Sequence, residues 1–390
     1  MTEVEPSERG PLEYPVNTES AVSEGRALAD PIDTMRFIAI FFMIYAHANV
    51  DFLETATADT TYTPWVQAAL ELHAFFYDSL CRTAAPFLGV VSGYFVYSRI
   101  YSVGYGSVVQ RSVGSLVVPT MFWSIAFLMF HYAIFFSKGD VAGFWTYYFS
   151  DAWRALNYIV PITHSPANVP LHYLTDLFKL TLFAPVFIWV LLKLPVPWRF
   201  AFVVAVGLAQ FTEAPVNSTN ILPRWDLVTF FVLGLAIASA GLRIKDLILA
   251  RLPWLAFAAA FLALVFLGGV WAPLMQSPDR LTAYGGYLVI MVIKVAGILF
   301  FLPIMQMMVR SPLFARFQPA RPLIFRAFCV HVFFTWTLSA VANSQEGAWY
   351  FHELVLAQFF LVPVIVFAAV MLTDPIISRL RRLLPKRGTA

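Results

Sequence analysis

The sequence predicts an all-α protein that crosses a membrane with about ten helices, and three observations support this fold class. Apolar residues make up 59% of the 390-residue chain and charged residues only 13%, whereas soluble domains average about 45–50% and about 25%. Apolar runs of roughly the length that a bilayer requires recur along the chain. Basic residues concentrate in alternate connecting segments, which is typical of cytoplasmic loops.

The first predicted span begins at a clear helix start signal. Asp30 can cap the helix, Pro31 suits its first position, and Asp33 adds an acidic residue to the first turn. This span extends to about residue 50. The further apolar runs follow at 82–99, 112–136, 171–192, 198–213, 225–241, 253–273, 285–309, 323–341 and 353–373.

The distribution of Lys and Arg predicts that both termini are cytoplasmic. Of the 26 basic residues, eighteen lie in predicted cytoplasmic segments and four within predicted spans. The remaining four, in predicted outer loops, are Lys138, Arg154, Arg224 and Arg280. The predicted transmembrane domain is 30–375, between a disordered acidic cytoplasmic tail at 1–29 and a basic cytoplasmic tail at 376–390.

Two predicted outer segments, 51–81 and 137–170, are too long for simple turns and are rich in aromatic residues. Both are expected to contain helices that lie along the outer surface. Side chains such as Trp153 can stack on sugars, but Trp and Tyr collect at membrane interfaces whatever a protein does. The aromatic content alone leaves saccharide binding and interfacial anchoring both open.

Charge and cysteine content exclude several classes of protein. A net charge of +3 without a dense basic patch is not the footprint of a nucleic-acid-binding protein. The two cysteines, Cys81 and Cys329, can form at most one disulfide and are predicted at different depths. Neither a disulfide framework nor a metal cluster is therefore expected.

Arg36 and His47 lie in the first predicted span, where ionisable side chains are costly and are functional candidates. Their separation of eleven residues comes to about three turns plus 20°, so both point the same way, roughly 16 Å apart along the axis. One alternative is that Arg36 pairs with Asp33 and reaches the interface. The other is that His47 is a hydrogen-bonded histidine at a helix end.

Four further ionisable residues or groups of residues within predicted spans are candidates for a functional role. Arg82 opens the second span at about the depth of His47, where it can orient an anionic or carbonyl group or act as an anchor. Asp176 and Lys179 are spaced to pair within one helix, with His172 one turn earlier. Lys294, in the eighth span, requires a partner on another helix or a wet cavity. A lone histidine such as His331, in the ninth span, is more often part of a core than a catalyst.

Several of these residues occur in a recognisable pattern. Arg36, ten intervening residues and His47 are followed by Arg82, Pro86-Phe87 and Ser92-Gly93-Tyr94-Phe95. This pattern resembles the acyltransferase-3 family of integral membrane O-acyltransferases. Weaker matches are Pro119, the segment Phe230-Phe231-Val232-Leu233-Gly234, and the aromatic-x-x-His pattern that ends at His331; the likeness extends over about 30–375.

The resemblance implies transfer of an acyl group, usually acetyl, from acyl-coenzyme A on the cytoplasmic side. The implied acceptor is a hydroxyl of an exported glycan or lipid-linked saccharide, and the implied location is a bacterial inner membrane. By this resemblance His47 is the catalytic histidine, supported by Arg36 and Arg82. No metal and no nucleic acid are implied; membrane lipid is the expected surrounding.

Residues for the two substrates are also expected. Arg36 and Arg111 are the candidates for binding the coenzyme A phosphates, and Arg82, His172 and Trp153 are the candidates for binding the acceptor. The sequence departs from the family where Gly114 takes the place of a second basic residue after Arg111. It departs again at His172-Tyr173-Leu174, where Trp-Phe-Leu is usual.

The mechanism and two other functions stay open at this point. His47 can act as a general base or can carry the acyl group as an acyl-imidazole. A succinyl donor would require an extra cation near His47, a role that Arg82 could fill. A secondary transporter or flippase for an envelope saccharide is one alternative function, although the sequence lacks matching broken spans. A non-catalytic partner in polysaccharide assembly is the other.

Overall fold

A computed structural model describes residues 30–48, 64–209, 223–250, 253–268, 270, 274, 279–317, 321–343 and 351–383. These residues form helices and turns and contain no β-strand. The predicted all-α class is therefore confirmed for the described part of the chain. The predicted acidic tail at 1–29 lies outside the described residues.

The helices are numbered here in chain order. They are α1 Pro31–His47, α2 Pro64–Ala74, α3 Ala84–Val103, α4 Tyr105–Ser112, α5 Val118–Ser137, α6 Val141–Phe149, α7 Ala152–Ile159, α8 His172–Lys193, α9 Val196–Ala209, α10 Trp225–Ser239, α11 Ile244–Leu249, α12 Trp254–Gly268, α13 Arg280–Arg310, α14 Pro312–Phe317, α15 Arg321–Asn343 and α16 Phe351–Leu383. Short π-helical and 3₁₀ turns at Phe75–Leu80 and Cys81–Thr83 join α2 to α3, and a π-helical turn at Val113–Val117 joins α4 to α5.

Each predicted apolar segment coincides with a helix, as far as that segment is described: α1, α3, α5, α8, α9, α10, α12, α13, α15 and α16. Several helices extend past the predicted ends, α13 and α16 by the most residues. α13 begins at Arg280, where Asp279 caps it by accepting from the Thr282 amide at 2.8 Å, and α16 continues to Leu383. An apolar run marks only the part of a helix that fits the hydrocarbon layer, so a helix can continue beyond it.

Among the described residues, three helical stretches have the length and apolar composition needed to cross a membrane: Tyr105–Ser137, Val169–Lys193 and Tyr284–Arg310. Shorter apolar helices occur at Val196–Ala209, Leu227–Ser239, Trp254–Gly268 and Phe359–Pro375. The number of membrane crossings and the side on which each terminus lies stay predictions.

The predicted start of α1 is confirmed. The Asp30 carboxylate accepts from the backbone amides of Ile32 at 2.8 Å and Asp33 at 3.3 Å. Partial burial by itself would raise the pKa of Asp30, but these amide hydrogen bonds and Lys245 outweigh it and lower the pKa. Lys245 lies 3.3 Å from the carboxylate, which ties the beginning of α1 to α11.

Helix α1 is packed inside the bundle through aromatic side chains. The Phe42 ring lies 4.7 Å from that of Phe301 in α13, and the Tyr45 ring lies 4.9 Å from that of Phe359 in α16. The Tyr45 hydroxyl donates to the Phe360 carbonyl at 3.0 Å. These contacts hold the end of α1 that carries His47.

Helices α3 and α10 cross at close range. A Cβ atom on Gly93 would overlap the Phe231 carbonyl, and one on Gly234 would overlap the Val90 carbonyl. Small residues permit such close backbone approach between helices in a membrane. Ser92, beside Gly93, is half-buried at this crossing.

The segment 137–170, predicted to lie outside, contains the expected helices α6 and α7 and packs on α5 and α15. Its position on the outer surface stays a prediction. The hydroxyl oxygen of the buried Tyr148 in α6 lies 2.5 Å from Nδ1 of His131 in α5. Burial raises the pKa of the Tyr148 hydroxyl well above its usual value, so the hydroxyl keeps its proton. The Asn168 amide donates to the Cys329 carbonyl at 3.1 Å, which fixes the end of the segment to α15.

Candidate functional site

His47 and His331 lie side by side. His47 is the last residue of α1, and its ring centroid is 5.4 Å from that of His331 in α15. The His47 side chain is half-buried, whereas His331 is fully buried. A substrate can therefore reach His47, with His331 behind it in the protein interior.

The hydrogen bonding of His331 indicates its tautomer. Its Nδ1 lies 2.6 Å from the Phe328 carbonyl oxygen. Because a carbonyl only accepts, Nδ1 carries the proton and Nε2 keeps a lone pair. Nε2 is buried and has no hydrogen-bond partner among the described residues. The sequence treated His331 as a core histidine, and only its aromatic-x-x-His pattern signalled a role in the site.

A second group of side chains, which we call the Asp176 cluster, consists of His172, Asp176 and Arg224. The fully buried Asp176 carboxylate accepts from Nε of Arg224 at 3.0 Å and lies 3.4 Å from Nε2 of His172. The sequence predicted a pair between Asp176 and Lys179, and the charge of Asp176 does act on Lys179. The structure adds Arg224, which is brought to Asp176 because α10 packs against α8.

The charge of Arg224 also acts on His47 and on Tyr173, the residue after His172. From the sequence, Arg224 was predicted to lie in an outer loop, and no role in the functional site was predicted for it. A single exposed arginine before a helix carries no local signal that it faces a site formed by other helices.

Tyr173 is the residue that follows His172 at the start of α8. Its hydroxyl is buried and faces Ser92 of α3, without a well-formed hydrogen bond. The charges of Arg36 and Arg224 both act on it. The Tyr173 ring also packs 6.2 Å from the ring of Phe328 in α15, the residue whose carbonyl oxygen holds Nδ1 of His331.

Arg36 pairs with Asp33 at 3.1 Å, the alternative that the sequence left open. Asp33 also accepts from Nε of Arg321 at 2.8 Å and 2.9 Å, which joins α1 to α15. The Arg36 guanidinium lies 5.6 Å from the centroid of the Phe95 ring. Because Asp33 already offsets part of its charge, binding of a substrate phosphate by Arg36 stays a prediction.

The other predicted site residues occupy separate places. The Arg82 guanidinium lies 5.3 Å from the centroid of the Tyr77 ring. Arg111 is exposed near the end of α4. Trp153, on α7, is 46% exposed, and its Nε1 donates to the Thr163 hydroxyl at 3.1 Å. Their predicted roles toward donor and acceptor are not tested by these positions.

Cys81 and Cys329 are both buried and unbonded to each other. The described residues contain no group of three His, Cys, Asp or Glu side chains placed to hold a metal ion.

The amino-acid sequence matches a known protein family. Residues 31–377 match the acyltransferase domain of the acyltransferase-3 family. The chain belongs to this family. It is therefore a membrane acyltransferase, and the resemblance seen in the sequence is confirmed. Over 270 residues it is 26% identical to the succinoglycan biosynthesis protein ExoH of Rhizobium meliloti (strain 1021), and the match covers 67% of each chain. No solved structure matches the chain.

The geometry of this acyltransferase accounts for several of the motifs that carried the resemblance. Gly93 and Gly234 form the close crossing of α3 and α10. That crossing presents Ser92 to Tyr173 of α8. The two histidines meet at the ends of the α1 and α15 motifs. A half-buried imidazole beside a fully buried one can accept and release a proton or hold an acyl group.

Proposed function

We propose that the chain transfers an acyl group, acetyl in the simplest case, from acyl-coenzyme A to a hydroxyl of an exported or lipid-linked glycan. The observation that carries the proposal is the half-buried His47 ring, 5.4 Å from the buried His331 ring. Membership of the acyltransferase-3 family and similarity to a protein named for succinoglycan biosynthesis support the reaction class and the acceptor class.

The donor enters from the cytoplasmic side. Arg36 and the exposed Arg111 contact its phosphates, and the pantetheine arm extends along α1 toward His47, roughly 16 Å from Arg36 along the helix axis. Arg82, His172 and Trp153 contact the acceptor on the outer side. The predicted orientation of the chain, with both termini cytoplasmic, puts donor and acceptor on opposite sides of His47.

In the general-base form of the reaction, neutral His47 takes the proton of the acceptor hydroxyl while the oxygen of that hydroxyl attacks the thioester carbonyl. The new C–O bond forms, the C–S bond breaks, and the coenzyme A thiolate takes the proton from the imidazolium. Such a base contributes about 10²–10⁴ in rate. In the acyl-carrier form, a His47 nitrogen attacks first and releases coenzyme A, and the acceptor oxygen then displaces the imidazole.

The test is acyl transfer from labelled acetyl-coenzyme A by the full chain in proteoliposomes with cell-envelope glycan added. We expect the wild type to release coenzyme A and label the glycan, and His47→Ala to lose at least about 99% of this activity. His164→Ala is the matched control, because His164 is an exposed outer histidine whose Nδ1 lies 2.9 Å from the Thr163 hydroxyl oxygen. It should retain activity.

Each other outcome has a definite meaning. Equal activity in wild type and folded His47→Ala would refute the histidine mechanism. Movement of an unmodified saccharide across the membrane without coenzyme A release would favour the transporter. Label retained on the protein without acceptor, and absent from His47→Ala, would identify the acyl-carrier form.

A further inference from the structure

The Asp176 cluster presents a cation that the proposed chemistry at His47 does not use. Arg224 keeps 45% of its side chain exposed, while Asp176, which accepts from its Nε at 3.0 Å, is fully buried. Tyr173, the residue after His172, packs its ring 6.2 Å from that of Phe328 in α15. The ring of His331, about one turn further along α15, lies 5.4 Å from that of His47. The cluster and His47 therefore flank the same part of α15, and the charge of Arg224 acts on His47 in agreement with this placement. A buried acid that holds an exposed arginine beside a reaction centre is an arrangement suited to orienting a ligand.

The charges around Asp176 favour an anionic ligand. Two basic side chains, Arg224 and Lys179, act on this one carboxylate. His172 adds a third nitrogen-bearing side chain, 3.4 Å from the carboxylate. Two cations thus act on one fully buried carboxylate, which cannot offset both charges, so the partly exposed Arg224 can attract an anion.

The chemistry of arginine narrows the class of anion. A guanidinium carries five N–H donors in a rigid plane, and the hydrogen bond to Asp176 fixes that plane at Nε. A plane held in this way matches two oxygens of a carboxylate or of a phosphate, both of which an arginine binds in a bidentate manner. The proposed function assigns the phosphates of the donor to Arg36 and Arg111, which leaves a carboxylate as the anion for Arg224. A lysine ammonium at the same place would supply charge without this fit.

We propose that Arg224 binds a carboxylate of the substrate that reacts at His47. Asp176 is a positioning residue, because it orients the Arg224 guanidinium. This inference rests on the proposed acyl transfer and narrows its substrate class. The carboxylate comes from one of two sources. It belongs either to the acyl group of a dicarboxylic donor such as succinyl-coenzyme A, or to a uronic acid of the acceptor glycan.

The experiment measures initial rates of the full chain in proteoliposomes with two donors and two acceptors. The donors are acetyl- and succinyl-coenzyme A, and the acceptors are a neutral and a uronate-containing oligosaccharide. We expect kcat/KM to be at least tenfold higher for the carboxylate-bearing member of one pair, which identifies the source. Arg224→Gln should abolish that preference, and Arg224→Lys should restore only part of it.

Two variants distinguish a role of Arg224 in carboxylate binding from a purely structural role. Asp176→Asn keeps the Arg224 charge but weakens its orientation, so KM for the carboxylate-bearing substrate should rise with little change in kcat. Arg243→Gln removes an exposed arginine of the α10–α11 connection, paired with Asp246 at 4.0 Å, and should leave the preference unchanged. Equal loss of rate for all substrates in Arg224→Gln, or no preference in the wild type, would overturn the inference.

A binding measurement separates this inference from the proposed function. Succinate or glucuronate should raise the thermal unfolding temperature of the wild type in detergent, whereas glucose should not, and Arg224→Gln should remove the shift. Carboxylate binding without any coenzyme A release would refute acyl transfer while retaining the carboxylate site. Acyl transfer without a carboxylate effect would refute the site alone.

Discussion

His47 and His331 are the same residue type in different surroundings. His47 terminates α1 and is half-buried, so it can contact a substrate. His331 is enclosed, and its Nδ1 is held by the Phe328 carbonyl oxygen at 2.6 Å. This hydrogen bond fixes the His331 ring and leaves a lone pair on Nε2, which can accept a hydrogen bond when the charge of its neighbour changes.

Replacement of His331 by Asn tests this supporting role. The Asn amide can replace Nδ1 as a donor to the Phe328 carbonyl but has no atom in the place of Nε2. We expect kcat for acyl transfer to fall about 10- to 100-fold, less than the loss of a general base, with KM for acetyl-coenzyme A unchanged. The pH profile of kcat should also shift. Unchanged kcat together with an unchanged profile would show that His331 is structural only.

His73, in the predicted outer segment, makes stability depend on pH. It is 4% exposed, it lies between the Tyr77 and Phe359 rings, and neither of its nitrogens has a hydrogen-bond partner among the described residues. Burial lowers its pKa from 6.5 to about 4. The unfolded chain therefore binds more protons in this range, and stability falls as pH drops from about 6.5 toward 4, by about 1.4 kcal/mol per unit.

His73→Phe should keep the ring packing and remove this dependence. Thermal unfolding in detergent at pH 7.5 and pH 5 measures the effect. The wild type should lose more stability between these two values than the variant, by up to about 2 kcal/mol. Equal losses in both proteins would contradict the buried neutral histidine.

At the level of elements, the crossing of α3 and α10 determines the shape of the site. Gly93 and Gly234 allow the two backbones to approach each other, and each occupies a position where a Cβ would overlap a facing carbonyl. Ser92, beside Gly93, faces Tyr173, and Arg224, the residue before α10, lies close to Asp176. The crossing therefore connects helix packing to the chemistry of the site.

Gly93→Ala and Gly234→Ala should each destabilise the protein by about 1–3 kcal/mol, since the added methyl group meets backbone rather than a movable side chain. Gly106→Ala in α4 is the matched control, because nothing lies within 4 Å of the added Cβ. It should be neutral or stabilising, since alanine favours a helix over glycine by about 0.5–1 kcal/mol. Thermal unfolding in detergent provides the comparison, and equal stability in all three variants would argue against the close crossing.

At the scale of the whole molecule, both the interior and the exterior of the bundle are apolar. Phe231 and Phe359 are fully buried, while Trp254 and Leu255 of α12 are 84% and 82% exposed. A helix bundle with such an exterior is stable only where lipid replaces water. The apolar exterior agrees with the assignment as a membrane acyltransferase. The orientation of the chain in the membrane needs a separate measurement.

Cysteine labelling tests the predicted orientation. The natural cysteines are buried, so they should react slowly with a membrane-impermeant maleimide. Lys138→Cys, at the end of α5, should be labelled in intact cells, because the positive-inside rule places Lys138 outside. Arg243→Cys should be labelled only after the membrane is opened. The reverse pattern would invert the topology.

Local features of the sequence were sufficient for much of the fold. The Asp30 cap and Pro31 gave the start of α1 because capping depends on neighbouring residues only. The apolar segments predicted helices because the bilayer imposes a length that can be counted along the chain. Arg36, His47 and the Ser92-Gly93 segment identified the family because they are close enough in sequence to form a motif.

The sequence by itself determined the all-α class, the helical segments and the family. Only the tertiary structure decided that His331 lies beside His47, that Arg224 reaches Asp176, and that Gly93 faces α10. The physical reason is that lipid and protein interior are equally apolar, so composition does not reveal which face of a helix meets another helix. Backbone approach and side-chain packing determine that choice, and both depend on residues far apart in the chain.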